Sequence, residues 1–187
     1  MKIFALYIKV RLTQKPEWFD EFIEKYFEPV DLHITLIQPR YVDEKQIDDL
    51  ESRIIKTIKN IRTKETDKKL FFDKLIIDKE SDGKYVFMLK SRENNFLANF
   101  QKELRMTLGD YNLYVDVANK EYEIDFKPHI TIATNLDEQT KEEAEKYFTS
   151  DYGCEGLIGE LVLPIVKDTS IEERTNVNNL KFFRIML

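Results

Sequence analysis

The sequence predicts an α+β fold of two similar lobes, each with an antiparallel sheet and a helix packed on one face. Strand and helix patterns follow one another without the strict alternation that a parallel sheet requires. No glycine-rich phosphate loop follows a predicted strand, so a Rossmann or P-loop domain is not supported. A strand–helix unit that begins at LHITLI in the first half resembles one that begins at PHITIA in the second half. We therefore expect residues 1–187 to form a single domain of two pseudo-symmetric lobes.

The first half contains runs rich in β-branched and aromatic residues, separated by segments whose apolar residues recur at helical spacing. The clearest helix carries one apolar stripe, which includes Ile47, Leu50, Ile54 and Ile58. A Ser-Asp-Gly turn at residues 81–83 joins the last two strands of this half. The predicted elements are strand 2–11, helix 16–26, strand 32–37, helix 43–61, and strands 70–78 and 84–90.

The second half begins with a helix that ends at Gly109, a residue type that commonly terminates helices. A later helix starts with Asp137 and Glu138, where acidic side chains suit the helix dipole. A polar stretch, residues 168–179, separates the last two strands and is placed to form a loop over a cleft. The predicted elements are helix 94–108, strands 111–117, 122–126 and 128–133, helix 137–148, and strands 156–166 and 180–187.

Composition limits the partners and sites that this chain can have. Its 187 residues are 42% apolar and 34% charged, which is typical of a globular protein. The formal net charge of −6 disfavours a protein that grips long nucleic acid through many phosphates. The single cysteine, Cys154, excludes an intrachain disulfide and a cysteine-rich zinc site. The apolar run at residues 3–10 is too short for a signal peptide or a membrane span, so we expect a cytoplasmic protein without membrane contact.

The two histidines of the chain lie in matching motifs on predicted strands. His33 and His129 are each followed two positions later by a threonine, Thr35 and Thr131 respectively. Side chains at positions i and i+2 of a strand point to the same face, so each histidine projects together with its threonine. A lone strand histidine is more often structural than catalytic, but two in matching contexts favour a shared site. If the lobes pair symmetrically, both histidine–threonine pairs line one cleft.

Two imidazoles and two hydroxyls are the groups that cleavage of a phosphodiester requires. One imidazole removes a proton from the attacking oxygen and the other protonates the leaving oxygen, and an unperturbed pKa of about 6.5 suits both tasks. Threonine hydroxyls can bind the non-bridging phosphate oxygens and stabilise the charge that develops on them. We therefore expect neither a metal nor a cofactor. The motifs are nearly equivalent, so they do not indicate which histidine is the acid and which is the base.

The tetrapeptides His-Ile-Thr-Leu and His-Ile-Thr-Ile resemble the paired H-x-[ST]-x motifs of the 2H phosphoesterase superfamily. That superfamily includes LigT-like 2′-5′ RNA ligases, cyclic nucleotide phosphodiesterases and enzymes that cleave 2′,5′-oligoadenylates. Its motifs lie roughly 80 to 100 residues apart, and here the separation is 96 residues. The resemblance implies a bilobal fold in which two antiparallel sheets, with helices on their outer faces, surround a central cleft. It also implies catalytic roles for His33 and His129 and phosphate binding by Thr35 and Thr131.

Six further residues are candidates for substrate binding. Cations and aromatic side chains beside the motifs could bind a phosphate or stack on a base. Each has a structural alternative, because surface cations are usually solvated and strand aromatics are usually part of a core. Arg174 lies within the polar stretch 168–179, which Lys167 precedes. The candidates are Arg40, Tyr41, Lys127, Tyr7, Phe87 and Lys167.

The leading hypothesis is a metal-independent phosphodiesterase that acts on a small nucleotide or an RNA end. Candidate substrates are a 2′,3′-cyclic phosphate, a 2′-5′ linkage or a cyclic oligonucleotide, and the acidic total favours a short substrate over long RNA. Two alternatives stay open, namely 2′-5′ RNA ligation by the same histidines and non-catalytic binding of a nucleotide or RNA. In each case we expect a monomer without an obligate protein partner. Many ligase-like members follow the first motif with Phe-x-Gly, whereas this chain has Ile-Gln-Pro-Arg at residues 37–40.

Overall fold

The computed structural model describes residues 1–27, 30–61, 68–80, 82–149 and 153–185, and within them seven strands form one antiparallel sheet. The strands are β1 (Lys2–Gln14), β2 (His33–Val42), β3 (Lys69–Lys79), β4 (Tyr85–Ser91), β5 (His129–Leu136), β6 (Cys154–Val166) and β7 (Leu180–Phe183). Their order is β2-β1-β6-β3-β4-β5, with β7 paired to β6. The α+β class with antiparallel strands is therefore confirmed.

Helices connect the strands and carry apolar faces toward the sheet. Three of them begin at residues whose side chains accept a backbone N–H of the first turn, as Asn94 does from Leu97 and Asp137 does from Thr140. In α2, Leu50, Ile54 and Ile58 are buried at intervals of four residues. The helices are α1 (Phe19–Tyr26), α2 (Ile47–Asn60), α3 (Asn95–Thr107), α4 (Asn119–Ile124), α5 (Glu138–Glu145) and α6 (Ile171–Thr175), with 3₁₀ turns at Glu44–Gln46, Lys146–Thr149 and Val177–Asn179.

Strand β6 joins the two halves of the sheet. Its residues 154–157 pair with β3, its residues 161–164 pair with β7, and β1 pairs along most of its length. The two sheets that the sequence predicts are therefore two halves of one hydrogen-bonded sheet, β7-β6-β1-β2 and β3-β4-β5. The two end strands, β2 and β5, contact each other, so the sheet curls until its edges meet. This curl brings the two motif strands together.

Strict alternation along β1 separates the core from the opposite face of the sheet. Phe4, Leu6 and Ile8 are fully buried, whereas Ala5 and Tyr7 between them are only half-buried. Burying these apolar side chains supplies most of the driving force for folding. The face that carries Ala5 and Tyr7 is left for the site.

A buried ion pair fastens residues 108–123 to β2. Arg40 is 1% exposed and contacts the carboxylate of Glu123, which is 2% exposed and lies on α4. The guanidinium also donates to the carbonyl oxygens of Leu108 (3.0 Å) and Tyr111 (2.8 Å). The other carboxylate oxygen of Glu123 accepts the backbone N–H of Gln38 at 2.7 Å. A buried pair of this kind is tolerated because neighbouring groups satisfy most of its hydrogen bonds, although Nε of Arg40 has no hydrogen-bond partner among the described residues.

The strands predicted at residues 111–117 and 122–126 are wrong. Tyr114 makes only an isolated bridge to Arg40, and α4 occupies residues 119–124. Leu113 and Val115 each make one backbone hydrogen bond to β2, but the carbonyl groups of Leu108 and Tyr111 bind the buried guanidinium, so the contact with β2 does not extend into a strand. The polar stretch 168–179 also contains local structure, namely α6 and a 3₁₀ turn.

Two further predictions fall partly beyond the described residues. The predicted turn at 81–83 includes Ser81, and the predicted strand 180–187 includes residues 186 and 187, all of which lie outside them. Within the described residues the last strand spans Leu180–Phe183. None of the helices in these ranges is long and apolar enough to span a bilayer.

Candidate active site

The two histidines open the two strands at which the sheet ends. His33 is the first residue of β2 and His129 the first residue of β5. On the neighbouring strands, Lys9 of β1 lies opposite His33 and Lys90 of β4 lies opposite His129. Each motif therefore occupies an edge strand and pairs with the next strand at an equivalent position.

The threonines of the two motifs occupy matching positions as well. Tyr7 is the cross-strand partner of Thr35, and Met88 is the partner of Thr131. The residues between the motif positions face the other way, so that Ile34, Ile130 and their apolar neighbours are buried in the core. Burial of these isoleucines anchors each motif strand and fixes the direction of its imidazole and hydroxyl.

Both imidazoles are held by the same local hydrogen bond. Nδ1 of His33 lies 2.7 Å from the carbonyl oxygen of Asp31, and Nδ1 of His129 lies 2.8 Å from the carbonyl oxygen of Lys127. A carbonyl can only accept a hydrogen bond, so the proton of each neutral ring is on Nδ1. The Nε2 atom of each ring then remains for proton transfer, as either a lone pair or an N–H.

Burial lowers the pKa of both histidines below the ordinary value of 6.5. The nearby cation of Arg174 and the other imidazole, His129, lower the pKa of His33 further, against the Asp31 carbonyl and carboxylate, which raise it. For His129, the hydrogen bond to Lys127 and the charge of Asp78 act in the opposite direction to burial and raise the pKa. The strands that carry the two rings, β2 and β5, contact each other.

A cavity of about 550 Å³ opens beside His33 and Thr35. The ring of Tyr7 lies 4.5 Å from the imidazole of His33, measured between ring centroids. Neither His129 nor Thr131 lines this cavity, so it extends to one side of the histidine pair. The other lining residues are Ala5, Lys9, Val30, Asp31, Gln38, Pro39, Pro164, Arg174, Thr175, Val177, Leu180 and Phe182.

Charged and aromatic groups are arranged together in the cavity. Nζ of Lys9 lies 2.5 Å from a carboxylate oxygen of Asp31 and 5.0 Å from the ring centroid of Phe182. Burial, together with the charge of Asp31, raises the pKa of Tyr7 to about 12. The phenol of Tyr7 therefore stays protonated at neutral pH and can donate a hydrogen bond.

The structure does not support substrate binding by two of the six candidates. Arg40 is buried and engaged with Glu123, and Phe87 is fully buried and packs against Phe22 and Phe148. A strand residue beside a motif can point into the core as easily as toward the cleft. Both side chains stabilise the fold and have no surface to offer to a ligand.

The other four candidates differ in where they lie. Tyr7 is in the cavity, whereas Tyr41, Lys127 and Lys167 are not among the residues that line it. Lys127 is exposed and its Nζ pairs with Asp125, so its contribution to the site is the carbonyl group that holds His129. Lys167 is exposed and uses its backbone N–H to bind Glu173.

Sequence reasoning missed several residues that line the cavity, among them Lys9, Asp31 and Phe182. The signal for Lys9 was present, because residues 5, 7 and 9 alternate with buried residues on β1. Phe182 had no such signal, since only the pairing of β7 with β6 brings it near His33. Within the described residues, no group of three or more His, Cys, Asp or Glu side chains is placed to hold a metal ion.

Known proteins share this architecture. Usb1 of Kluyveromyces marxianus with uridine monophosphate is similar over 97% of this chain and 98% of its own, at 11% identity and a TM-score of 0.56. LigT of E. coli complexed with 3′-AMP is similar over 99% and 95%, at 14% identity and a TM-score of 0.54. A third structure, described as a phosphoesterase, covers 100% and 96%, at 14% identity and a TM-score of 0.51. Identities this low establish likeness of fold alone.

A sequence profile identifies the family. No curated protein matches this chain. Residues 9–168, which include both motifs, match the profile of the 2′-5′ RNA ligase superfamily. The profile covers most of the chain, and the paired His-x-Thr motifs are those of the 2H phosphoesterases, so the resemblance noted from the sequence is confirmed. The protein belongs to the 2′-5′ RNA ligase superfamily of 2H phosphoesterases.

Proposed function

We propose that this protein is a metal-independent phosphodiesterase that cleaves a small nucleotide or an RNA end with His33 and His129. The observation that carries the proposal is the matching anchor of the two rings, each of which has Nδ1 on a backbone carbonyl. This arrangement leaves Nε2 of each ring for proton transfer, which supports one ring as general base and the other as general acid. Membership of the 2H phosphoesterases supports the same chemistry.

In the proposed reaction, Nε2 of one imidazole takes a proton from a water molecule or a ribose hydroxyl. The oxygen that loses this proton forms a bond to phosphorus. Nε2–H of the other imidazole protonates the oxygen whose bond to phosphorus breaks. One ring ends as imidazolium and the other as neutral imidazole, so the proton count of the pair does not change. The hydroxyls of Thr35 and Thr131 stabilise the charge on the non-bridging oxygens.

The proposed substrate is short and contains a nucleoside. The cavity beside His33 has the size of a small-molecule site, roughly 300–1,000 Å³, and Tyr7 and Phe182 provide aromatic surface for a base. The similar structures include Usb1 with uridine monophosphate and LigT with 3′-AMP. The candidates are a 2′,3′-cyclic phosphate, a 2′-5′ linkage and a cyclic oligonucleotide.

A substrate panel in the presence of EDTA tests this function. We expect the wild-type protein to cleave at least one of the three substrate classes, and His33→Asn and His129→Asn to lose roughly 10²- to 10⁴-fold in kcat. Asparagine keeps an N–H for the Asp31 or Lys127 carbonyl, so the variants separate chemistry from structure. Full activity in either variant, or a strict metal requirement, would contradict the proposal.

The pH dependence of kcat/KM is a second test. One histidine must be neutral and the other protonated, so the profile should be bell-shaped. Burial lowers the pKa of both groups in the free enzyme, so activity should fall as the pH rises above these lowered values and also as it falls below them. We expect the maximum on the acidic side of pH 6.5, and a profile without an acidic limb would rule out a histidine base.

A further inference from the structure

A strap formed by residues 168–179 borders the cavity beside His33. It includes α6 and a 3₁₀ turn, and Arg174, Thr175 and Val177 from the strap line the cavity. Tyr7 and Phe182 of the sheet line the same cavity. The strap therefore makes this side of the site more enclosed than a bare sheet surface would be.

Glu173 ties the two ends of the strap together. One of its carboxylate oxygens accepts the backbone N–H of Lys167 at 2.9 Å and the side-chain amide of Asn179 at 3.2 Å. The same amide of Asn179 lies 3.1 Å from the carbonyl oxygen of Glu173, and Ser170 caps α6 through the backbone N–H of Glu173. These bonds hold the backbone of the neighbouring Arg174 in a defined place although the strap is exposed.

Arg174 contributes to the net positive charge of the residues that line the cavity. The lining residues include two cations, Lys9 and Arg174, and one carboxylate, Asp31. The chain as a whole carries a formal net charge of −6. A cationic cavity in an acidic protein attracts anions to one place rather than to the surface in general.

Arg174 also lies on one side of the reacting groups. It lines the cavity that contains His33 and does not contain His129. Its charge lowers the pKa of His33, whereas the charge that acts on His129 is that of Asp78. Arg174 therefore lies on the His33 side of the site, along the cavity that extends away from His129.

We propose that Arg174 binds a second phosphate group of the substrate, separate from the phosphodiester that is cleaved. The planar guanidinium suits a phosphate because it offers parallel N–H donors to two oxygens. The apolar walls, including Tyr7, Leu180 and Phe182, suit the base and sugar that link the two phosphates. This inference rests on the proposed function and narrows its substrate to nucleotides that bear a further phosphate.

A binding experiment tests the inference without requiring turnover. Adenosine 3′-monophosphate and adenosine 3′,5′-bisphosphate are titrated into the protein by calorimetry at low salt, and the uridine pair is measured in the same way. We expect the wild-type protein to bind each bisphosphate roughly 10- to 100-fold more tightly than the monophosphate, as a charge-assisted hydrogen bond allows. Equal affinity for both ligands, or no binding of either, would overturn the inference.

Variants assign the preference to Arg174. In Arg174→Gln the preference for the bisphosphate should fall to less than about 3-fold, and in Arg174→Lys it should be intermediate, because lysine keeps the charge and loses the paired donors. The matched control is Arg92→Gln, since Arg92 is an exposed arginine bound to Asp73 and does not line the cavity. If the preference for the bisphosphate survives in Arg174→Gln, the inference is overturned. If Arg174→Gln binds neither ligand, Arg174→Lys is the test, and an undiminished preference in that variant overturns the inference.

The outcomes also separate this inference from the proposed function. If the enzyme is active and its bisphosphate preference does not depend on Arg174, the inference is wrong and the proposed phosphodiesterase function stands. If the protein is inactive and its bisphosphate preference depends on Arg174, the proposed reaction is wrong and the phosphate site stands.

Discussion

The half of the molecule that carries His33 and the half that carries His129 share one arrangement of backbone and differ in the side chains around it. Each histidine opens an edge strand and binds a carbonyl two residues earlier. However, the cross-strand partner of Thr35 is Tyr7, whereas the partner of Thr131 is Met88. The comparison teaches that the backbone frame of the two motifs is symmetric and the side chains around it are not, so the proposed reaction would be symmetric and the proposed ligand recognition one-sided.

The same contrast appears further along the two motif strands. Arg40 follows His33 by seven residues, and Leu136 follows His129 by seven residues. Both side chains are buried, but Arg40 requires the carboxylate of Glu123 whereas Leu136 requires only apolar neighbours. One half is therefore held by a charged network and the other by packing.

Breaking the charged network should give the largest effect on stability. We expect Glu123→Leu to lower the free energy of unfolding by about 3–5 kcal/mol, because Arg40 is left as an uncompensated buried charge. Urea denaturation followed by circular dichroism measures this change. The double variant Arg40→Leu/Glu123→Leu should recover a large part of the loss, and an equally unstable double variant would mean that the lost packing, not the lone charge, is responsible.

Removing the hydroxyl of each motif tests the symmetry of the chemistry. We expect Thr35→Val and Thr131→Val each to lower kcat by roughly 10²- to 10³-fold, because each loses one donor to the charged phosphate oxygens. The matched control is Thr13→Val, at an exposed threonine of β1. Steady-state kinetics on the cleaved substrate measure the loss, and a strong effect at only one motif would break the proposed equivalence.

Exchanging the partners of the two threonines tests the asymmetry of recognition. We expect Tyr7→Met to weaken nucleoside monophosphate binding by about 5- to 150-fold, since stacking on an aromatic ring contributes roughly 1–3 kcal/mol per base. Met88→Tyr should not weaken it, and Tyr122→Met, at a tyrosine that is 63% exposed, is the control. Calorimetry measures the affinities, and a larger loss from Met88→Tyr than from Tyr7→Met would place the base on the other side.

The smallest expected effect concerns pH and stability. The folded state lowers the pKa of both histidines, so the unfolded chain binds more protons between these lowered values and about pH 6.5. The contribution of the two histidines to the free energy of unfolding should therefore be complete above pH 6.5 and be lost as the pH falls through their folded pKa values. Thermal melts between pH 5 and 8 measure this slope. His33→Asn and His129→Asn should each flatten it, and a slope that neither variant alters would mean that other groups cause it.

The sequence predicts the parts of the site that follow local rules. Strand periodicity places His33 with Thr35 and His129 with Thr131, because neighbours two positions apart share a face. It cannot foresee the carbonyl partners of the imidazoles, since these depend on how the backbone turns at Asp31 and Lys127. Tyr7 could be proposed from its strand, but the direction of each edge strand at the cleft depends on the bulges in its pairing.

Long-range contacts account for the remaining errors and omissions. Arg40 looked like a phosphate ligand because its partner, Glu123, lies 83 residues away in the sequence. The same guanidinium binds the carbonyl oxygens of Leu108 and Tyr111, so the chain after Leu108 turns toward Arg40 and only Tyr114 forms a bridge to β2. Phe182 joins the site only through the pairing of β7 with β6, which no local pattern of residues reports.

The position of β6 has a consequence for the order in which the protein can assemble. Ile3 pairs with Val166 and Gln14 with Glu155, so the first strand of the sequence finds a central partner only among residues that are synthesised more than 140 positions later. Contacts of such separation slow folding, because a long loop must close before they form. Until then β1 and β2 can form only a two-stranded ribbon, which is marginally stable by itself. On the ribosome, the face that bears His33 is therefore completed late, after the strand of His129 has already emerged.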